Sequence, residues 1–400
     1  LVRLINSRAD GLKLGIGRAS SACGDQILEI ILIWAVWQLT KSSSFTGLAV
    51  FIQRAPFWLF GFVGATFTDR LGALPILRRA NIVAILVAVL ATLAMVAGAP
   101  EAITVLMAAF AIGCARAFEP PALTAIVPAM QPAWTTKSLN NVLDNAKRLG
   151  RLAAPFPAML LGKAATYLVL DIAAATFAIM VGVSAALSRK IRPQAITLPV
   201  SISEQFRAIR TIYASKVLAA VLGCSAVYAL FHGAAYFAIL PRILLEGSDG
   251  GAGAYASVIG AFAFGGIAAN VLIAGLPAGR SDLMVGGGMF VAGLSFLLIG
   301  QSSVLTTQMA IGFAGGASFA FQDVFVTTLI QKYAAARLLA RAHALWRLGA
   351  EMGLGAGVLI GGVAADIFDA ASLLLIVGIG IGLVSVTLIL QTGPETADQH

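Results

Sequence analysis

Apolar residues fill this chain in long unbroken stretches, and the polar positions gather in the short gaps between them. Residues 27–39, 82–98 and 373–390 are nearly free of charge and run through Ala, Leu, Val, Ile and Gly without the alternation of a strand. A helix that crosses a bilayer needs about 20 such residues. The pattern predicts twelve transmembrane helices, at 14–39, 44–66, 76–98, 101–122, 142–165, 167–188, 217–240, 252–275, 283–300, 304–325, 343–364 and 370–390. A membrane β-barrel would instead show segments of about ten residues alternating apolar and polar side chains. The fold class is therefore all-α and integral to the membrane. One polar interval, 189–216, holds Pro193 and many Lys and Arg residues. Within it Ile202, Phe206, Ile209 and Tyr213 share a helical face, which predicts a short interfacial helix in a cytoplasmic linker.

Composition sharpens this picture. The 400 residues are 59% hydrophobic and 11% charged, with a mean hydropathy of +0.91. Soluble domains are about half apolar and about a quarter charged. A net charge of +9 raises the question of nucleic acid, and the placement of the charges answers it. Of the 27 Lys and Arg, 22 fall in the N-terminus or around the connections that follow even-numbered spans, near 69–79, 129–151, 188–216, 275–283 and 331–347; Lys41, Lys163 and Arg242 fall in the opposite set, and Arg54 and Arg116 lie within spans. That is the asymmetry of a multi-pass protein of the cytoplasmic (inner) membrane with both termini cytoplasmic, and it needs no nucleic-acid partner. The first apolar run lacks a small-residue cleavage site and reads as a true span rather than a signal peptide.

Little in the chain suggests catalysis. His232, His343 and His400 are scattered, and no Ser or Cys stands beside a plausible base. Cys23, Cys114 and Cys224 each fall within a span, without metal-ligand spacing, and read as packing residues. No phosphate-binding loop is present, so direct use of ATP is not expected. No enzyme activity, cofactor or metal site is anticipated.

The chain resembles itself. Arg148-Leu149-Gly150 opens the fifth span and Arg347-Leu348-Gly349 the eleventh, each followed by a glycine fourteen residues after its Arg (Gly162, Gly361). At the same offset Gly24 meets Gly223, and near it the stretch from Gly113 through Phe118 and Glu119 meets that from Gly316 through Phe321 and Gln322. Each match pairs span n with span n+6, the mark of two parallel six-helix halves. The expected organisation is an N-terminal bundle, 1–188, the linker, 189–216, and a C-terminal bundle, 217–400.

Between spans two and three the chain reads G-A-T-F-T-D-R-L-G, residues 64–72. Asp69-Arg70-Leu71-Gly72 resembles the loop motif of the major facilitator superfamily, a glycine then D-R-x-G-R-R. Further stretches resemble the branch that contains macrolide-efflux proteins and enterobactin-type siderophore exporters. They are G-D-Q-I-L-E-I-I-L-I-W and W-Q-L-T in span one, A-P-F-W-L-F-G in span two, A-F-E-P-P-A-L in span four and N-x6-R-L-G-R leading into span five. The resemblance covers nearly the whole chain and implies a monomeric secondary transporter working by alternating access. Ala65 replaces the usual glycine, Ala73-Leu74 the usual basic pair, and the second-half counterpart G-L-P-A-G-R-S-D is more degraded, which implies a looser cytoplasmic gate.

Elementary electrostatics suits that gate. A carboxylate such as Asp69 can accept hydrogen bonds at the positive N-terminus of a neighbouring helix. Arg70 can reach phosphates or pair across the halves, and Gly72 allows close approach. Glu119 and Asp323, near the inner ends of equivalent spans, are expected to join the gate.

Ionisable residues inside spans are functional candidates by default. Asp25 and Glu29 lie four apart on one face of span one, and Arg54 comes to a similar depth in span two. Arg116 in span four is an alternative partner for Asp25. Two acids sharing arginines suit a proton carrier, and exporters of the superfamily resemble this arrangement. A permanent ion-pair lock is the structural alternative. On the substrate side, Tyr228, Phe231, His232 and Tyr236 form an aromatic stripe on span seven, suited to a flat, partly apolar ligand or to core packing, and Trp34 is placed to line the same cavity or anchor the outer interface. The expected function is proton-coupled export of a small amphipathic molecule, siderophore-like or a drug such as a macrolide. Uptake or lipid flipping through the same fold, and a non-transporting membrane sensor, are the alternatives.

Overall fold

The computed structural model describes residues 8–130, 133, 134, 136–158, 165–188, 202–246, 251–273, 281–335 and 338–392, and among them the regular elements are all helices. The first half runs α1 (Arg8–Thr40), α2 (Ser43–Leu71), α3 (Ala73–Val96), α4 (Glu101–Arg116), α5 (Glu119–Ile126), α6 (Thr136–Ala153), α7 (Pro155–Ala158) and α8 (Thr166–Ser188). After α9 (Ile202–Ala214) come α10 (Lys216–Ala234), α11 (Leu240–Glu246), α12 (Gly251–Ile273), α13 (Ser281–Ile299), α14 (Leu305–Tyr333), α15 (Leu339–Ile367) and α16 (Ala370–Thr392). Ten of the described segments are long and apolar enough to cross a membrane. At the second and fifth expected spans stand α2, and α6 with α7. Among the described residues the architecture is all-α, and its ten candidate spans, with α2 and α6–α7 at the two remaining positions, are consistent with the twelve expected spans in two related sets of six.

Local chemistry explains the breaks. α1 stops at Thr40, where Lys41 takes a left-handed φ of 48° and its N–H returns to the Trp37 carbonyl at 2.8 Å. Gly72, with φ 85° and ψ 149°, turns the chain from α2 into α3, a conformation that favours glycine. The fourth span parts between α4 and α5 because Pro120 and Pro121 carry no N–H to bond the carbonyls of Arg116 and Ala117. Pro155 ends α6 in the same way. α10 and α11 join through a π-helical turn, Ala235–Ile239, just ahead of Pro241, which cannot donate.

The chain divides into two compact units, Leu1–Lys41 with Ala49–Thr197 and Gly251–Gly260, and Ser42–Leu48 with Leu198–Gly250 and Ala261–His400. Inside the first, α1 packs on α6 and α8, and α3 packs on α4 and α8. Inside the second, α10 packs on α15 and α16, and α13 packs on α14 and α16. Both units thus pair their spans in the same order, which is the internal repeat in physical form. Its best residue-level evidence is Gly113 and Gly316. A Cβ on Gly113 would overlap the Gln53 carbonyl of α2, and one on Gly316 the Phe262 carbonyl of α12, so matched glycines admit matched helices. The Gly24 and Gly223 match carries no such parallel: Gly24 faces Phe177, whereas nothing lies within 4 Å of a Cβ on Gly223.

Glycine also brings α10 and α15 together, with Gly353 against Ala226, Gly357 against Leu230 and Gly361 against Ala234. In the first unit, Gly150 meets the Ala19 carbonyl of α1. That unit holds an apolar core that includes Leu14, Leu77, Ile126, Met130, Leu143 and Met180. Among the described side chains of α9, Ile212 is buried, Ile209 partly buried and Tyr213 half exposed, and the helix packs on α10 and α15; the side chains of Ile202 and Phe206 fall outside the described residues.

Candidate functional site

α1 carries its polar residues in a stripe. Arg18, Ser21, Asp25 and Glu29 recur at intervals of three or four, so all face one side of a helix whose stretch from Ile27 to Ile33 is otherwise apolar and buried. Opposite them, the break in the fourth span sets Arg116 at the end of α4 and Glu119 at the start of α5, three positions apart and both turned toward α1. Arg116 forms ion pairs with Asp25, at 2.7 Å, and with Glu119. Glu119 also pairs with Arg18 and accepts a hydrogen bond from the Ser21 hydroxyl at 3.3 Å. Two acids and two arginines therefore balance in one network.

The network is held from behind. Asn81 of α3, fully buried, donates to the Leu77 carbonyl at 2.8 Å, which orients its amide to accept from Arg116 at 3.1 Å. The Phe177 ring of α8 lies 5.4 Å from the Arg116 guanidinium carbon. Exposure is unequal. The Arg116 and Glu119 side chains are 4% and 2% exposed, whereas that of Asp25 is 39% exposed.

Glu29 takes a separate partner. It accepts from Arg54 of α2 at 2.7 Å and from Gln26 at 2.7 Å, with both charged side chains largely buried. The four residues singled out for coupling thus form two pairs, Asp25 with Arg116 and Glu29 with Arg54. Sequence reasoning missed Arg18 and Asn81. Arg18 was masked by its kinship with the flanking basic charges, although its spacing from Asp25 gives it away. Asn81 was a lone amide in an apolar run.

The aromatic stripe divides. His232 is surrounded by rings, with centroids at 5.7 Å (Tyr228), 5.4 Å (Tyr236), 6.0 Å (Phe262), 5.5 Å (Phe296) and 5.1 Å (Phe319). Phe231 leaves this group and packs on Gly380 of α16. The Ser225 and Tyr228 hydroxyls are buried without a hydrogen-bond partner among the described residues. Asp323 of α14 is within electrostatic reach of Tyr228. Trp34 is partly buried and lies near Gly251 at the start of α12. At the D-R-x-G motif, Asp69 and Arg70 lie at the end of α2, and their side chains fall outside the described residues. Among the described residues no cluster of metal-ligating side chains is present.

A family model described as transmembrane secretion effector matches residues 14–399. No curated protein sequence matches the chain. Solved structures share its fold at low identity. A nucleoside transporter, NupG, aligns with a TM-score of 0.75 and 13% identity over 96% of this chain and 100% of its own. A POT family transporter in complex with a thioalcohol-conjugated peptide gives 0.78 and 14% over 97% and 96%. A bacterial homolog of the human lysosomal transporter Spinster, inward-facing and unoccupied, gives 0.62 and 14% over 96% of each chain.

Proposed function

This chain belongs to the transmembrane secretion effector family, membrane transporters of the major facilitator type, and on that premise we propose that it is a proton-coupled exporter of a small amphipathic molecule. The observation that carries the proposal is the unequal exposure within one ion network. Asp25 is open to a proton, while its partner Arg116 and the second acid Glu119 are buried. Removing one partner of a buried ion pair costs about 3–5 kcal/mol, because a charge is left uncompensated. Here neutralising Asp25 does not strand Arg116, since Glu119 continues to face it. Arg18 balances Glu119 in turn. Asp25 can therefore gain and lose its proton at modest cost, and its bond to Arg116 is the one that alternates. Glu29 and Arg54 pair directly at 2.7 Å, and in this reading they clamp α1 to α2.

The substrate side is assigned to Trp34 and to the aromatic group of Tyr228, His232 and Tyr236, with Phe231 at its edge. Rings offer apolar faces, and the Ser225 and Tyr228 hydroxyls offer polar contacts, a combination that suits a siderophore-like metabolite or a macrolide-like drug. Fold-level neighbours that carry nucleosides or peptides favour a small-molecule cargo without naming one. Asp69, Arg70, Gly72 and Asp323 are assigned to the cytoplasmic gate, in a monomer of the inner membrane with cytoplasmic termini, while Glu119, expected at the gate, is reassigned to the ion network with Arg18 and Arg116.

Export is tested by retention. Cells producing the chain should hold less of a macrolide, an enterobactin-type siderophore or a cationic dye than cells producing Asp25→Asn, and an uncoupler should erase the difference. Higher retention would indicate uptake, and equal retention of all three compounds would contradict export.

A further inference from the structure

α9 turns an apolar edge to the protein and a basic edge outward. Ile212 is buried and Ile209 partly buried where the helix packs on α10 and α15. Tyr213, Arg210 and Arg207 are exposed. At about 100° per residue they fall within roughly a third of the helix circumference, with exposed Ala214 between the two arginines. What α9 offers outward is therefore a pair of guanidinium groups beside a phenol, not a continuous apolar face.

The level of that edge is set by the spans it adjoins. Ser215 is extended (φ −77°, ψ 115°) and its hydroxyl accepts from the Leu218 N–H at 3.4 Å, so α9 stops there and α10 starts at Lys216 as a segment apolar enough to cross a membrane. Tyr213 is three residues from Lys216, at most about 11 Å along the chain. α15 begins on the same side as α10, because Gly353, Gly357 and Gly361 meet Ala226, Leu230 and Ala234 in the same chain order. One end of this pair of spans thus carries Lys216 and Arg347, both exposed, and Arg341, partly exposed. In the stretch 189–216 six Lys and Arg stand against one acid, Glu204. A helix fastened at the mouth of two spans lies at headgroup level, where arginine forks onto phosphate oxygens and tyrosine is favoured.

We propose that the outward edge of α9, Arg207 and Arg210 with Tyr213, docks on the anionic phospholipid headgroups of the leaflet at which α10 begins. The attraction is between guanidinium groups and lipid phosphates, so it needs a negatively charged surface and weakens as salt screens it. Insertion of an apolar face would need neither. The proposal rests on the membrane spans alone, and not on proton coupling, the direction of transport or the cargo.

The test reads how far the edge is shielded from water. After replacement of the three native cysteines, a spin label at Ala214→Cys is placed on the full chain in vesicles of phosphatidylcholine alone or of phosphatidylcholine with phosphatidylglycerol. Its relaxation by a neutral, water-soluble nickel chelate is measured at low and high salt. The label should be shielded in the phosphatidylglycerol vesicles at low salt, and uncovered at high salt and in phosphatidylcholine alone. Arg207→Gln and Arg210→Gln should each lower the ratio of docked to undocked helix by about fivefold, and together they should abolish the response to phosphatidylglycerol. Both side chains are exposed, so Tm should not move, and the lipid and salt comparison with both arginines in place stands by itself. Equal shielding in both lipids would show apolar insertion, and equal exposure a solvated edge; either would overturn the proposal. A phosphatidylglycerol response that persists in the double variant would overturn it as well, by placing the lipid contact elsewhere.

Discussion

Arg116 is the residue on which the network turns, because it meets Asp25, Glu119, Asn81 and Phe177 together. Arg116→Ala should lower stability by about 3–5 kcal/mol, since it leaves buried Glu119 short of one cation. Asp25→Asn should cost about 1 kcal/mol or less, as expected of a partly exposed pair whose buried member keeps a second acid. Thermal unfolding in detergent ranks the two, and equal losses would contradict a reserve role for Glu119. Arg116→Lys should rescue little, because a single ammonium cannot present the planar fork that serves several acceptors at once. The acids and arginines of this site were legible as intramembrane charges, but their partners were not. Pairing depends on where the fourth span breaks, and that sets whether Arg116 and Glu119 point the same way.

At the scale of elements, glycine decides how closely helices approach. A Cβ on Gly357 would overlap the Leu230 carbonyl, so Gly357→Ala should force α15 from α10 and cost about 1–3 kcal/mol. Nothing lies within 4 Å of a Cβ on Gly182, and Gly182→Ala should be neutral or stabilise by up to about 1 kcal/mol. Melting temperatures that move together would contradict this division. Gly72→Ala should cost about 1–3 kcal/mol from strain alone, because φ is 85° there, and a substitution without effect on Tm would show that the turn relaxes freely. Most helices were readable from apolar runs alone, and the break before Glu119 is written in Pro120 and Pro121. The π-helical turn at Ala235–Ile239 was not readable, since an apolar run has the same pattern whether a turn holds the usual number of residues or one more.

At the scale of the whole molecule, repetition is the organising fact. Each compact unit pairs its first span with its fifth and sixth, and its third with its fourth and sixth. Sequence showed the repeat only through short Gly and Arg matches, of which Gly113 with Gly316 has a structural counterpart and Gly24 with Gly223 has none. The charged network and Trp34 belong to the first unit and the aromatic group to the second, so the proton is assigned to one half and the cargo to residues of both. The central claim is that these sites are coupled through Asp25. The most direct measurement is proton movement across everted membrane vesicles when a macrolide, an enterobactin-type siderophore or a cationic dye is added. The account predicts substrate-evoked proton release from the vesicle lumen that disappears in Asp25→Asn. A compound that binds the purified protein yet moves no protons, or release that persists in Asp25→Asn, would contradict it.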